Sequence, residues 1–364
     1  MNDAGSGPAG HRGRREGRRP RILFVAAAQS PFVLDDRDLL AERYHVEPLW
    51  FDGRRLGRSL ARQAATLART KADLVFGWFA DYHLVQPIRW ASRRGVPSVV
   101  VLGGYDAVHL PSLGYGVFGS VWRAPLARDV CRRTTHLLPV ASALVESVNA
   151  FATWPEPTAQ GVRTHVPGLT TPTTVLPTGY DPEAWPMGKA SRPASVLTVA
   201  RVTDERTYRL KGLDLIEAAA GQRPGVPFEV VGVDPTVASR PVPPNLALRP
   251  PVPREALAAR YAAASVYVQP SRSEGLPNAL CEAMLAGCIP VASPVGGMPE
   301  AVGEYGTVVS APTGEALAEA VRTALASEQA GRRDAIRERA RSRYGRARRR
   351  DGLYALLDGL LSTR

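Results

Sequence analysis

An α/β protein of two parallel-sheet lobes facing each other across a cleft is the fold class this sequence predicts. Three observations carry that expectation. The chain has 364 residues, more than one hydrophobic core usually serves, so two domains of about 150 to 180 residues each are the first expectation. From Arg21 onward, short β-branched runs alternate with longer amphipathic stretches, as a parallel sheet flanked by helices requires. The alternation breaks near residues 180 to 193, at the loop Thr178-Gly179-Tyr180-Asp181 and a Pro-rich stretch through Pro186 and Pro193.

In the first lobe, strands are expected at Arg21 to Ala27, His45 to Trp50, Asp73 to Gly77, Pro97 to Leu102, His136 to Val140 and Thr174 to Pro177. Helices such as Leu56 to Arg69 and Tyr82 to Arg94 fit between them. The second series has strands at Ser195 to Ala200, Phe228 to Gly232, Ser265 to Gln269 and Ile289 to Ala292. The chain therefore divides into a basic tail expected to be disordered (1–20), an N-terminal domain (21–180), a linker (181–193), a C-terminal domain (194–345) and a last helix (346–364) able to pack back on the N-terminal domain. Open parallel sheets bind ligands beyond the carboxyl ends of their strands, which puts the expected site in the cleft.

At 45% hydrophobic and 22% charged residues, the body has ample apolar material for two cores. The formal charge of +12, from 46 Lys plus Arg against 34 Asp plus Glu, invites thoughts of nucleic acid, anionic lipid or phosphorylated substrates. Much of the excess lies at the ends. Arg12, Arg14, Arg15, Arg18 and Arg19 stand among Gly, Ser and Pro, which cannot bury enough apolar area to offset ordering entropy. The cluster from Arg332 to Arg350 is helix-like and reads as a solvated face. Neither cluster comes with zinc-finger spacing or an RNA-binding aromatic motif, so no nucleic-acid partner is expected. Positive surface leaves peripheral contact with an anionic inner membrane face open. No apolar run reaches the roughly 18 to 20 residues of a membrane span, and the N-terminus lacks a signal-peptide core, so a cytoplasmic location is expected. Cys131, Cys281 and Cys288 are odd in number and set in apolar sequence, and read as small buried residues.

The chemistry concentrates between Ser271 and Pro290. Pro277 suits the first turn of a helix and Gly287 its stop, which leaves Glu274 in the preceding loop and Glu282 one to two turns inside. The helix start between them offers unpaired N–H groups that favour a phosphate. Taken singly, Glu274 reads as a surface loop residue and Glu282 as a helix-face residue. The Gly, Pro and helix-end spacing around them favours a sugar nucleotide, its two sugars on the carboxylates and its diphosphate at the helix end. Arg201 follows the strand Ser195 to Ala200, and Lys211-Gly212 opens a helix from Leu213. Two cations fixed in this way can stabilise charge on a leaving phosphate without a metal. Arg206 and Arg209, placed in the same loop, can share that role.

At these residues the C-terminal half resembles the retaining GT4 family of glycosyltransferases, whose GT-B fold sets two Rossmann-like domains across a cleft. The resemblance rests on Arg201 with Lys211-Gly212, on the run from Glu274-Gly275-Leu276-Pro277-Asn278 to Glu282-Ala-Met, on Gly296-Gly297-Met-Pro299-Glu300, and on the interdomain loop Thr174 to Asp181. It implies a metal-independent hexosyltransferase that retains configuration, with a nucleoside diphosphate sugar as donor substrate and no permanently bound cofactor. The acceptor it implies is a glycan, a lipid-linked sugar or a small molecule, bound by the N-terminal domain, and the context polysaccharide or glycoconjugate biosynthesis. Arg201 and Lys211 would hold the diphosphate and Glu274 the transferred sugar, these three being the catalytic set. Glu282 would bind the ribose, with Gly275, Leu276, Pro277, Asn278 and Gly232 completing the donor side. The family's Gly-Gly loop after the first strand is here Ala27-Ala28-Gln29-Ser30-Pro31-Phe32, and its His after the fourth strand is replaced by Gly103 in Gly103-Gly104-Tyr105-Asp106. Gln29, Ser30, Gly104, Tyr105, Asp106 and His109 are the acceptor-side candidates. A sugar-nucleotide epimerase on the same fold and a catalytically silent nucleotide-binding subunit are the rival readings. Gly114-Tyr-Gly116-Val-Phe-Gly119 satisfies a dinucleotide-binding pattern but follows no strand directly, and is set aside.

Overall fold

The computed structural model describes residues 18–327 and 331–363, so most of the expected basic tail, residues 1–17, lies outside the described residues. The first lobe runs β1 (Arg21–Ala26), α1 (Pro31–Arg43), β2 (His45–Trp50), α2 (Leu56–Arg69), β3 (Leu74–Trp78) and α3 (Val85–Arg94). It continues with β4 (Ser98–Leu102), α4 (Arg123–Arg133), β5 (His136–Pro139), the short strands β6 (Ser147–Asn149) and β7 (Thr158–Gln160), and α5 (Val162–His165). Its five-stranded sheet has the order β2-β1-β3-β4-β5 and is parallel throughout. β3 and β4 are buried along their whole length and β1 from Ile22 to Ala26, which is why they read as continuous apolar runs rather than alternating ones.

The second lobe runs β8 (Val196–Val202), α6 (Glu205–Leu210), α7 (Leu213–Gln222), β9 (Phe228–Val233), α8 (Pro235–Ala238), β10 (Leu246–Arg249) and α9 (Arg254–Ala263). Then come β11 (Val266–Gln269), α10 (Asn278–Leu285), β12 (Ile289–Ala292), α11 (Met298–Val302), β13 (Thr307–Val308), α12 (Gly314–Ala326), α13 (Arg332–Tyr344) and α14 (Arg346–Ser362). The sheet order β10-β9-β8-β11-β12-β13 reverses direction between β8 and β11. At such a switch point the loops leaving the two strands diverge, and the crevice between them is the natural ligand site of this architecture.

Several expectations are corrected. Thr174 to Pro177 forms no strand. It runs beside β5, with Leu137 N donating to Pro172 O at 2.8 Å and Leu176 N donating to Pro139 O at 2.9 Å, but Pro172 and Pro177 lack the N–H groups a longer ladder needs. The segment from Tyr82 opens as a 3-10 turn, Tyr82 to Leu84, capped by the Asp81 carboxylate, before α3 begins. The Arg332–Arg350 cluster is not simply a solvated face. Arg333 and Arg349 are buried, and Arg333 donates to the carbonyls of Ser265 at 3.1 Å and Gly287 at 2.9 Å. Arg349 makes a two-pronged pair with Asp36, at 2.9 and 2.6 Å, and also donates to Leu176 O. Trp78 Nε1 donates to the same carboxylate at 3.0 Å. α14 is thereby fixed against α1 of the first lobe, behind a wall of the cleft. The three cysteines are buried free thiols, and no described helix is long and apolar enough to cross a membrane.

Candidate functional site

Glu274 sits on a loop that only glycine-rich neighbours permit. A Cβ on Gly275 would lie 2.1 Å from Gly103 O of the first lobe, and one on Gly296, at φ +60°, would lie 2.1 Å from Glu274 O. Gly297 N donates to Gly275 O at 2.6 Å. From the other side, Arg272 grips Asp214 with two bonds of 2.7 Å, tying the loop to α7. Pro277 is the N-cap of α10 rather than a residue of its first turn. The helix ends in a Schellman motif, with Gly287 at φ +77° and Cys288 N donating to Ala283 O at 2.9 Å.

Lys211 reaches this loop from the turn between α6 and α7, where it is the C-cap of α6. Gly212, at φ +74°, brings the backbone so close to Pro270 that a Cβ would stand 2.2 Å from its carbonyl oxygen, and any residue but glycine would part the two loops. Lys211 Nζ donates to Glu274 Oε1 at 2.6 Å, and Gln269 Nε2 donates to the same oxygen at 3.4 Å. Arg201 lies within β8, which runs two residues further than expected, and its exposed guanidinium makes no ion pair among the described residues. Arg201, Lys211, Glu274, Leu276, Pro277 and Asn278 line one cavity of about 360 Å³, closed on the other side by Phe32, Trp78 and Gly103 of the first lobe. Arg206 and Arg209 are on α6 and not in a loop. Arg206 donates to Gly114 O of the first lobe at 3.4 Å and Arg209 pairs with Glu205 at 3.2 Å, and neither lines that cavity.

Glu282 opens on an adjoining cavity of about 480 Å³ that shares Phe32 and Asn278 with the first. Burial pushes its carboxyl up to about 7, against the pull of the Tyr261 hydroxyl, which donates to Oε2 at 3.2 Å, and of the Arg254 charge. Asp35 of the first lobe faces it across the cleft, its own carboxyl raised by burial. Asn278, between the cavities, is held by the Tyr180 hydroxyl, which donates to Oδ1 at 2.6 Å. Sequence reading missed Phe32, Asp35, Tyr180 and Arg254. Phe32 ends the loop already suspected, Asp35 follows it and Tyr180 lies in the interdomain loop, but nothing local marks their side chains as cleft-facing.

Other candidates fall outside this pair of cavities. Gly232, at φ +104°, lines neither, and a Cβ there would meet Ala200 O at 2.4 Å, so its work is the close approach of β9 to β8. Gln29 is exposed and Ser30 serves as the N-cap of α1 through its carbonyl. Gly104, at φ +145°, abuts Gly275 N, where a Cβ would stand at 3.0 Å. Tyr105 packs edge-on to Tyr115 at 5.3 Å, beneath the Arg123 guanidinium. Asp106 is buried, and its carboxylate accepts from Ala80 N, Gly103 N and Gly104 N at 2.9 to 3.0 Å. Burial pushes it up to about 6, and it braces the glycine loop instead of facing a ligand. His109 is bonded through its main chain to Gln160, and its ring lies against Gly119 and His165, away from the cavities. Gly116 and Gly119 are likewise packing residues, the first against Val108 O. The place of a side chain at Gly103 is taken by the ring of Phe79, whose Cε1 would lie 2.3 Å from a Cβ there. Phe79 is itself held at φ +68°.

Comparison with known proteins adds to this geometry. Residues 187–343 match the family model described as Glycosyl transferases group 1. No curated protein matches the chain significantly. Among solved structures, sucrose-phosphate synthase from Thermosynechococcus elongatus superposes with a TM-score of 0.71 at 17% identity, over 95% of this chain and 100% of that one. Anabaena HepE in complex with UDP and glucose gives 0.66 at 14%, over 93% and 99%. The catalytic domain of starch synthase IV from Arabidopsis thaliana, bound to ADP and acarbose, gives 0.68 at 13%, over 95% and 100%. The chain thus has the GT-B fold of two Rossmann-like domains, and its second lobe matches the group 1 glycosyl transferases.

Proposed function

We propose that the protein transfers a sugar from a nucleoside diphosphate sugar to an acceptor, with retention of configuration, as a GT4-type enzyme whose own cations serve the diphosphate in place of a metal. The observation that carries this reading is the Lys211–Glu274 pair at 2.6 Å, set between the unpaired Arg201 and the start of α10. The match of the second lobe to group 1 glycosyl transferases and the nucleotides bound by HepE and starch synthase IV support it.

In the ligand-free site Lys211 neutralises Glu274. A donor diphosphate at the α10 N-terminus takes over the ammonium, and Glu274 is released to accept from hydroxyls of the sugar. Glu282 accepts from the ribose in the adjoining cavity. In the reaction the bond from the anomeric carbon to the phosphate oxygen breaks, and the acceptor oxygen bonds to that carbon on the same face. The acceptor proton passes to the departing phosphate. Charge grows on the leaving group, so Arg201 and Lys211, oriented beforehand, bind the transition state more tightly than the ground state.

A thermal-shift panel of nucleoside diphosphates and their sugars, followed by transfer assays in excess EDTA, tests the reading. The expected result is a stabilising donor and transfer that survives chelation. Turnover of the donor with no acceptor present would point to an epimerase, and magnesium-reversible loss of transfer would remove the metal-free clamp.

A further inference from the structure

The first lobe carries a surface that the donor chemistry does not use. Most large apolar side chains of the protein are buried, yet Val121 is 93% exposed, Trp122 60% and Leu56 48%. These three belong together. The Trp122 ring packs on Tyr82 at 5.4 Å, and a Cβ on Gly53 would stand 2.6 Å from the Tyr82 hydroxyl, so the turn leading into α2 at Leu56 adjoins the loop that carries Trp122.

The same turn and helix are strongly basic. Between Gly53 and Ala72 the sequence has Arg54, Arg55, Arg58, Arg62, Arg69 and Lys71 and no Asp or Glu. All six are exposed. Four acids lie beside the patch on neighbouring segments, fewer than its six cations: Asp52 is 4.0 Å from Arg55, Asp81 pairs with Arg123, Asp73 pairs with Arg18, and Glu47 accepts from the Thr70 hydroxyl at 3.2 Å. Arg62 donates to the Trp50 carbonyl. Arg54, Arg58, Arg69 and Lys71 form no ion pair among the described residues.

We propose that this face, α2 with the Val121–Trp122 loop, docks on an anionic lipid bilayer. The unpaired cations attract acidic headgroups, and an indole ring with an apolar body and a polar N–H belongs at the headgroup level, where it enters the interface next to Val121 and Leu56. A duplex nucleic acid would use the cations and leave Val121 and Leu56 in water. Arg123 joins this face to the Gly103–Asp106 loop, since its guanidinium lies 5.7 Å from the Trp122 ring and 5.1 Å from that of Tyr105, and the loop meets the second lobe where Gly104 abuts Gly275. Docking therefore sets that loop on the membrane side of the first lobe, whichever donor the second lobe takes.

Flotation of the full chain with phosphatidylcholine vesicles, with and without phosphatidylglycerol, tests the proposal. Binding is expected only with phosphatidylglycerol, and is expected to weaken with added salt. Joint replacement Arg54→Gln, Arg58→Gln and Arg69→Gln is expected to lower partitioning by roughly a hundredfold, about fivefold per cation. Trp122→Ala is expected to remove the fraction that resists salt, with the thermal midpoint of both variants unchanged. Arg12→Gln with Arg14→Gln and Arg15→Gln separates the tail from this face and is expected to retain binding. Loss of binding in the tail variant alone, equal binding to neutral vesicles, or tighter binding to a DNA duplex that is indifferent to Trp122→Ala would each overturn the proposal.

Discussion

The two lobes present opposite surfaces to the cleft. From the second lobe come ionic side chains: Arg201 on β8 itself, Lys211 on the segment after it, and Glu274 and Glu282 on the loop and helix that follow β11. The first lobe answers with rings and bare backbone, Phe32, Trp78 and Gly103, and with the single carboxylate of Asp35. Both lobes are parallel sheets with helices on their faces, so the fold does not dictate this difference. It follows from where each loop leaves its side chains: the second lobe turns its polar groups toward the cavities, whereas the polar groups of the first, Asp36 and Asp106, are consumed inside it. The contrast makes predictions that differ in kind for the two sides.

The largest effect is expected on the ionic side. Glu274→Ala is expected to abolish measurable transfer while leaving the unfolding midpoint near that of the parent, since Lys211, the cation it leaves without its partner, lines the open cavity and can be solvated there. Its counterpart separates catalysis from charge. Lys211→Ala should lower kcat by about a hundredfold, on the order of 3 kcal/mol, more than it weakens donor binding. Because Lys211 is no longer neutralised in Glu274→Gln, that variant is expected to bind a plain nucleoside diphosphate at least as tightly as the parent in calorimetry. Weaker binding there would mean that the pair is not exchanged for phosphate, and the contrast between the lobes would lose its chemical basis.

On the packed side the expected effect is on stability. Arg349→Met leaves the Asp36 carboxylate buried without its partner, and loss of about 3–5 kcal/mol is expected from denaturant unfolding. Asp36→Leu in the same chain is expected to recover only part of it, because the uncompensated charge is removed but the buried Trp78 Nε1 loses its acceptor. A loss of transfer without a loss of stability would instead put Arg349 in the site.

Why one side was legible and the other was not follows from distance along the chain. Glu274, Pro277, Asn278 and Glu282 fall within one short stretch, so Gly, Pro and helix-end signals around them can be read together. Arg349 meets Asp36 across 313 positions, and no local pattern distinguishes it from the solvated arginines beside it. Asp106 looks the same in sequence whether it faces solvent or accepts three amide hydrogens. The reverse error occurred at Arg206 and Arg209, where Asp204 caps a helix, its side chain accepting from Thr207 N, in what reads as a loop.

A smaller test concerns the missing side chain at position 103. Gly103→Ala drives a methyl to within 2.3 Å of the Phe79 ring and is expected to cost about 1–3 kcal/mol. Phe79→Ala should relieve most of that cost in the double variant, and the coupling is read from a double-mutant cycle. Simple additivity would show that the ring moves aside freely and that the glycine is not held there by Phe79.

The smallest expected effect is a pH dependence confined to the ionic side. The Glu282 carboxyl is raised to about 7 in the free protein, chiefly by burial. Ribose hydroxyls donate to it, and hydrogen bonds to an ionised carboxylate are roughly twice as strong as neutral ones, so the donor prefers the deprotonated form. Binding that selects the deprotonated state is undiminished above the free-state value and weakens below it. Donor affinity is therefore expected to be flat near pH 8 and to fall as pH drops through 7, by at most about tenfold per unit, with proton release on binding near neutrality. A nucleoside diphosphate sugar is the probe to use, because its diphosphate is a diester and does not titrate in this range as a terminal phosphate does. Glu282→Gln is expected to bind more weakly at pH 8 and to lose the slope between pH 6 and 8. If the slope persists in that variant, the titrating group is another one, and Asp35, the carboxylate facing it from the first lobe, becomes the residue to change next. In that case the first lobe would contribute a charge to the ligand after all.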